Sequence, residues 1–118
     1  MTLEELRYHC WEPISVTLDH ELVSKYGTTD YCVPPEALLN LECKRIVDTL
    51  LDCSDQVLLA NSSLEINCTI PVGTMVEIDT RISDLRIFKG QAFVTVEQTY
   101  LKDDQMMAKL TQILAMNN

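Results

Sequence analysis

The chain has 118 residues, 47% apolar and 23% charged, the composition of a globular domain long enough to bury its own core. Eighteen acidic against nine basic side chains leave a net charge of -9, a field that repels phosphate backbones and disfavours nucleic-acid partners. No apolar run reaches the roughly 20 residues of a membrane span, and MTLEELRYHC carries Glu4, Glu5 and Arg7 where an export signal has an apolar core, so one domain over residues 1–118, away from membranes and in the cytoplasm, is expected.

EPISVTLD alternates Ile14, Val16 and Leu18 with Ser15 and Thr17, the pattern of a short half-buried strand. Asp19 stands where a helix N-cap belongs, and Gly27 is placed to end the short helix HELVSKYG. Pro34 and Pro35 suit a first helical turn, whose amides have no intrahelical partners to lose. CVPPEALLNLECKRIVDTLLD, residues 32 to 52, predicts one long helix, apolar around most of its circumference, with a polar sector at Lys44, Arg45 and Asp48. Glu42 falls at the edge of the apolar stripe, one turn from Leu38 and from Ile46. It is either a rim charge, paired for instance with Arg45, or a carboxylate available for acid–base work.

The period then changes to two. Leu58, Ala60, Leu64, Ile66, Cys68 and Ile70 predict one strand face, interrupted by Ser62. Pro71 and Gly73 mark a turn. Val76, Ile78, Thr80 and Ile82 share the inner face of the next strand, and Leu85 and Ile87 fall on the other parity, which predicts a bulge near Ser83–Asp84. Lys89-Gly90 is a tight turn, Ala92 to Tyr100 alternate along a third strand, KDDQ turns the chain again, and MMAKLTQILAM is the last strand. Short turns between consecutive strands mean antiparallel pairing. The fold class is therefore α+β, a sheet of about five strands covered by one long helix.

Five cysteines without close pairs or metal-finger spacing read as reduced thiols. Cys43, between Leu39 and Val47, and Cys68, in phase with Leu64, are expected to be buried. His9 and His20 belong to no ligand constellation, and no metal is expected.

This layout resembles the hotdog fold, in which a curved antiparallel sheet wraps a central helix. ISVTLDHELVSKYG, PEALLNLE and NCTIPVGTMVEIDTRISDL are similar to the subgroup of hotdog thioesterases that includes fluoroacetyl-CoA thioesterase, over roughly residues 13 to 116. In that subgroup a Thr-Pro opens the helix, a Glu follows seven residues after the Pro, and a His lies seven residues before the Gly of a PVG turn. Aligned on Pro35 and Gly73, Glu42 matches the family's glutamate, whereas Pro34 and Ile66 replace its threonine and histidine.

The resemblance implies a small acyl thioester of the coenzyme A type as ligand, hydrolysis with Glu42 as the catalytic base, no cofactor, and a homodimer with ligand tunnels at the subunit interface. It implies a ligand pocket around Tyr31, Cys32, Pro34 and Pro35, with Glu36 and Ala37 offering helix-terminal amides, and Ile66 and Asn67 on the strand that carries the family's histidine. Arg81, Arg86 and Lys89 are candidates for the coenzyme A phosphates, with a solvated sheet edge as their commoner meaning. Because Pro34 and Ile66 cannot move a proton, a catalytically silent module that binds an acyl-CoA or another small ligand stands as the alternative.

Overall fold

The computed structural model describes residues 1–26, 32–39 and 41–117. In chain order these form α1 (Leu3–Arg7), β1 (Ile14–Thr17), α2 (His20–Val23), α3 (Pro35–Leu39), α4 (Cys43–Leu51), β2 (Val57–Ile66), β3 (Met75–Phe88), β4 (Gln91–Lys102) and β5 (Gln105–Asn117). Among the described residues no helix is long and apolar enough to cross a membrane.

The strands make one antiparallel sheet in the order β1-β3-β4-β5-β2. Its turns follow from backbone conformation. Lys89 and Gly90 both have positive φ, the mirror-image turn that matches the twist of a hairpin, and Asp103 and Asp104 do the same at the next hairpin. Gly73 (φ 95°) lets the Pro71–Thr74 turn close, and its amide donates to Leu18 O at 2.8 Å. The expected bulge in β3 is present: the pairing with β4 shifts register between Ile82 and Asp84, so that Ile82 and Leu85 both face inward.

A second bulge corrects the reading of β2. Its register with β5 shifts between Leu59 and Asn61. Leu59 therefore pairs with buried Leu114, and Ser62, Leu64 and Ile66 pair with Gln112, Leu110 and Ala108. Leu59 shares the helix-side face with Leu64 and Ile66, and Leu58 points to the other side, because one extra residue inverts the parity.

Two core clusters fill the space between helices and sheet. The first joins α3, through Ala37 and Leu38, to Ile78, Tyr100, Ala108 and Leu110. The second joins α4, through Ile46 and Leu50, to Leu85, Val94, Val96 and Leu114. Each fully buried Leu or Ile contributes about 1.5–3 kcal/mol. Asp19 caps α2 by accepting from Leu22 N at 2.9 Å, as its position predicts. Thr2 caps α1 in the same way and thereby delivers Leu6, fully buried, to the second core.

The single long helix expected over residues 32–52 is not formed. α3 ends at Leu39, Leu41 and Glu42 are bent out of helical conformation, and α4 begins at Cys43. Cys43 is consequently exposed, against expectation, because the stripe that would run from Leu39 into it does not exist. Cys68 is half-buried, with its sulfur 3.3 Å from that of Met107.

Candidate functional site

The helix break coincides with a tertiary hydrogen bond. In an unbroken helix the Leu38 carbonyl would accept from the amide four residues on, at Glu42. Here it accepts instead from the hydroxyl of Tyr100, which reaches up from β4 and is completely buried, at 2.6 Å. Burial pushes the tyrosine hydroxyl above its ordinary range, and the nearby negative charge of Glu42 pushes it further, so it stays a donor.

Glu42 occupies the N-cap position of α4 (φ -123°, ψ 16°) but makes no capping bond with its side chain. The first amides of a helix lack intrahelical partners and carry its positive dipole end. Instead the carboxylate, 11% exposed, lies 2.9 Å from Arg45 Nε. Arg45 is tethered by donating from Nη1 to Glu12 O at 3.0 Å, while its Nε and Nη2 are buried without a well-aligned acceptor. The pair is thus a close charge contact, not a saturated hydrogen-bonded fork. Glu42, Arg45, Lys44, Asp48, Leu41 and Ile14 line an open cavity of about 430 Å³.

Beneath the break, polar residues cross the apolar face of the sheet. Thr80, Gln98 and Gln112 are buried, at 1%, 2% and 8% exposure, where the strand period calls for apolar side chains. Thr80 is paired directly with Gln98, and Ser62 with Gln112. On each of the three central strands the polar residue separates the two cores: Thr80 lies between Ile78 and Ile82, Gln98 between Tyr100 and Val96, Gln112 between Leu110 and Leu114. Gln98 Nε2 donates to Thr80 Oγ1 at 3.4 Å. Sequence reasoning passed over this row. Its signal is four polar residues on the inward parity of four different strands, and the pairing register brings them together as two pairs, offset by two residues between β4 and β5, where Gln98 faces Leu110 and Gln112 faces Val96.

Of the other predicted site residues, Ala37 is buried in the first core and its amide is committed to Pro34 O at 3.1 Å, so it does not serve a ligand. Pro35 and Glu36 are exposed in the first turn of α3, Pro34 is half-buried, and Cys32 bridges to Pro71, with Val33 N donating to Ile70 O at 2.8 Å. Tyr31, like Gly27, lies outside the described residues. Ile66 faces the helix side at the end of β2 but is 45% exposed. Asn67 fastens the end of β2 to β5, its backbone amide donating to Met107 O at 2.9 Å and its side chain to Met106 O at 3.2 Å.

Arg81, Arg86 and Lys89 do not gather around Glu42. Arg81 and Arg86 stand on the outer face of β3, Arg81 donating to Glu97 at 3.1 Å and Arg86 lying 2.8 Å from Asp84; Lys89 sits 5.2 Å over the Phe88 ring.

No family model and no curated protein matches the sequence. Solved structures do. The HadBC (3R-hydroxyacyl-ACP dehydratase) complex from Mycobacterium tuberculosis matches with a TM-score of 0.74 at 11% identity, over 93% of this chain and 96% of that one. The chain has the hotdog fold. Within it, a thioesterase from Thermus thermophilus complexed with coenzyme A and zinc matches at TM-score 0.62 and 17% identity, over 90% of this chain and 78% of that one. A Streptococcus mutans protein bound to acetyl-CoA matches at 0.60 and 17%, over 90% and 80%. In this chain the helical segment over the hotdog sheet is divided into α3 and α4, with Glu42 at the N-cap of the second.

Proposed function

We propose that this chain binds a small acyl thioester of the coenzyme A type and hydrolyses it with Glu42 as general base. The observation that carries the reading is a carboxylate 11% exposed, at the start of α4 and on the wall of an open cavity of about 430 Å³. Water attacks the thioester carbonyl as Glu42 takes its proton, and the first amides of α4, which the Glu42 side chain leaves uncapped, suit the developing oxyanion. Collapse of the tetrahedral species breaks the C–S bond, and the proton held by Glu42 goes to the departing thiolate, giving a free acid and a thiol. Arg45 Nε lies 2.9 Å from the carboxylate and competes with the attacking water for it.

Two hotdog structures with coenzyme A or acetyl-CoA bound support the ligand class. The exposed apolar residues of edge strand β2 support a homodimer, and five cysteines without a disulfide among them support a cytoplasmic location. The test is turnover of a panel of acyl-CoAs by wild type and Glu42→Ala. The variant should lose about a hundredfold or more; unchanged turnover removes Glu42 from the mechanism. The second reading, a silent module that binds the same ligands, is favoured by the Glu42–Arg45 contact and by Ile66 at the family's histidine position. Binding without turnover by wild type selects it.

A further inference from the structure

Arg45 is destabilising in a way that packing does not explain. Its Nε and Nη2 are buried without a well-aligned acceptor. A guanidinium buried with donors unmet opposes folding, and an apolar side chain of similar volume would pack as well or better.

The residue is nevertheless gripped at both ends, by consecutive residues of the segment before β1. Glu12 O accepts from Nη1 at 3.0 Å. Trp11 Nε1 donates to Thr49 Oγ1 at 3.1 Å, and that hydroxyl donates in turn to Arg45 O at 3.1 Å. Trp11 is itself anchored, 7% exposed in the core that holds Ile46 and Leu50. Pro13 confines Glu12 to extended conformations, which narrows the directions its carbonyl can take. What the grip presents is Nε, 2.9 Å from Glu42 Oε2.

Glu42 stands where its carboxylate can turn onto the first amides of its own helix, the usual use of a side-chain oxygen at an N-cap. It makes no such bond. The charge contact with Arg45 holds it off those amides and on the wall of the cavity that both residues line. Because the contact is not a well-aligned hydrogen bond, lone pairs of the carboxylate stay open to a water.

We propose that Arg45 is a positioning residue: clasped by Trp11 and Glu12, it holds the Glu42 carboxylate on the cavity wall in the orientation that takes a proton from water. The proposal rests on the hydrolytic reading of Glu42, and Arg45 acts through that carboxylate, not on the thioester.

The test follows turnover of acetyl-CoA, butyryl-CoA and octanoyl-CoA by loss of thioester absorbance. Wild type is compared with Arg45→Met, Arg45→Lys, Glu42→Ala and the double variant Glu42→Ala/Arg45→Met. Arg45→Met keeps the buried stem and should lower kcat about tenfold, with KM within about twofold. Arg45→Lys keeps a cation within reach of Glu42, and because the contact is a single point and not a fork, kcat should recover to within about threefold of wild type. In the Glu42→Ala background, Arg45→Met should change nothing further, since its effect passes through the missing carboxylate. Additive losses in the double variant, or an unchanged kcat in Arg45→Met, overturn the proposal, while Glu42→Ala alone decides the hydrolytic reading separately. A KM that rises while kcat holds gives Arg45 to ligand binding and also overturns it. If Arg45→Met does not fold, Arg45→Lys carries the test: folded protein with kcat down about tenfold or more overturns the proposal. Wild type without turnover on any of the three probes overturns it together with the hydrolytic reading.

Discussion

Tyr100 shows how one side chain decides a local fold. Its hydroxyl satisfies a buried carbonyl that a continuous helix would have satisfied itself, and Glu42 is thereby released from the helix body into the N-cap position of α4. Tyr100→Phe keeps the ring and leaves the Leu38 carbonyl unmet, at a cost of about 1–3 kcal/mol, with a melting point lower by roughly 5–10 °C. Denaturant unfolding checks this, since the midpoint should fall with the slope unchanged. Stability equal to wild type would mean that the break does not depend on the hydroxyl. Glu42 itself is legible as an odd carboxylate in an apolar helix, but its pairing with Arg45 depends on where α4 starts. Three residues apart, the two meet because both lie in the first turn.

At the scale of elements, the outer face of the sheet is held by a charged cluster that the sequence shows only as scattered charges. Glu97 on β4 pairs with Arg81 across to β3 at 3.1 Å and with Lys109 across to β5 at 3.5 Å. Burial alone would raise its carboxyl, but the bonds from Arg81 and the charge of Lys109 outweigh this and hold it below the ordinary value of 4.5. A depressed folded value makes the stabilisation complete above the unfolded value and removes it as pH falls through the folded one. Glu97→Gln should therefore cost stability at pH 7, by about 1 kcal/mol or less because Arg81 is 70% exposed. The deficit against wild type should shrink to nothing as pH falls below 4.5. Parallel unfolding curves from pH 7 to pH 3 measure it, and a deficit independent of pH would assign the loss to packing.

For the whole molecule, the edges of the sheet differ. β1 is four residues long, whereas β2 has ten and exposes Leu58, Leu59 and Ile66 at 55%, 57% and 45%. A long apolar edge is an invitation to pairing. The homodimer expected from the resemblance is accordingly predicted to form through β2, and sedimentation at micromolar concentration should give twice the chain mass. Leu58→Lys, on the face away from the helices, should shift the protein towards monomer. A wild-type monomer under those conditions removes the subunit interface and the tunnels built on it.

The sequence by itself determined the strand count, the antiparallel order of the hairpins, the β3 bulge and the Asp19 cap, because each follows from period, turn residues or a single side chain acting within a few positions. It also singled out Glu42. The helix break, the inverted parity of Leu59, the exposure of Cys43 and the polar row of Ser62, Thr80, Gln98 and Gln112 were decided only by tertiary structure. Each depends on a partner far along the chain: Tyr100 is 62 residues from Leu38, and the staggered polar pairs Thr80–Gln98 and Ser62–Gln112 exist only once the strands have chosen their register. Local periodicity reports which faces are apolar. Where those faces are interrupted together is set by pairing across the sheet.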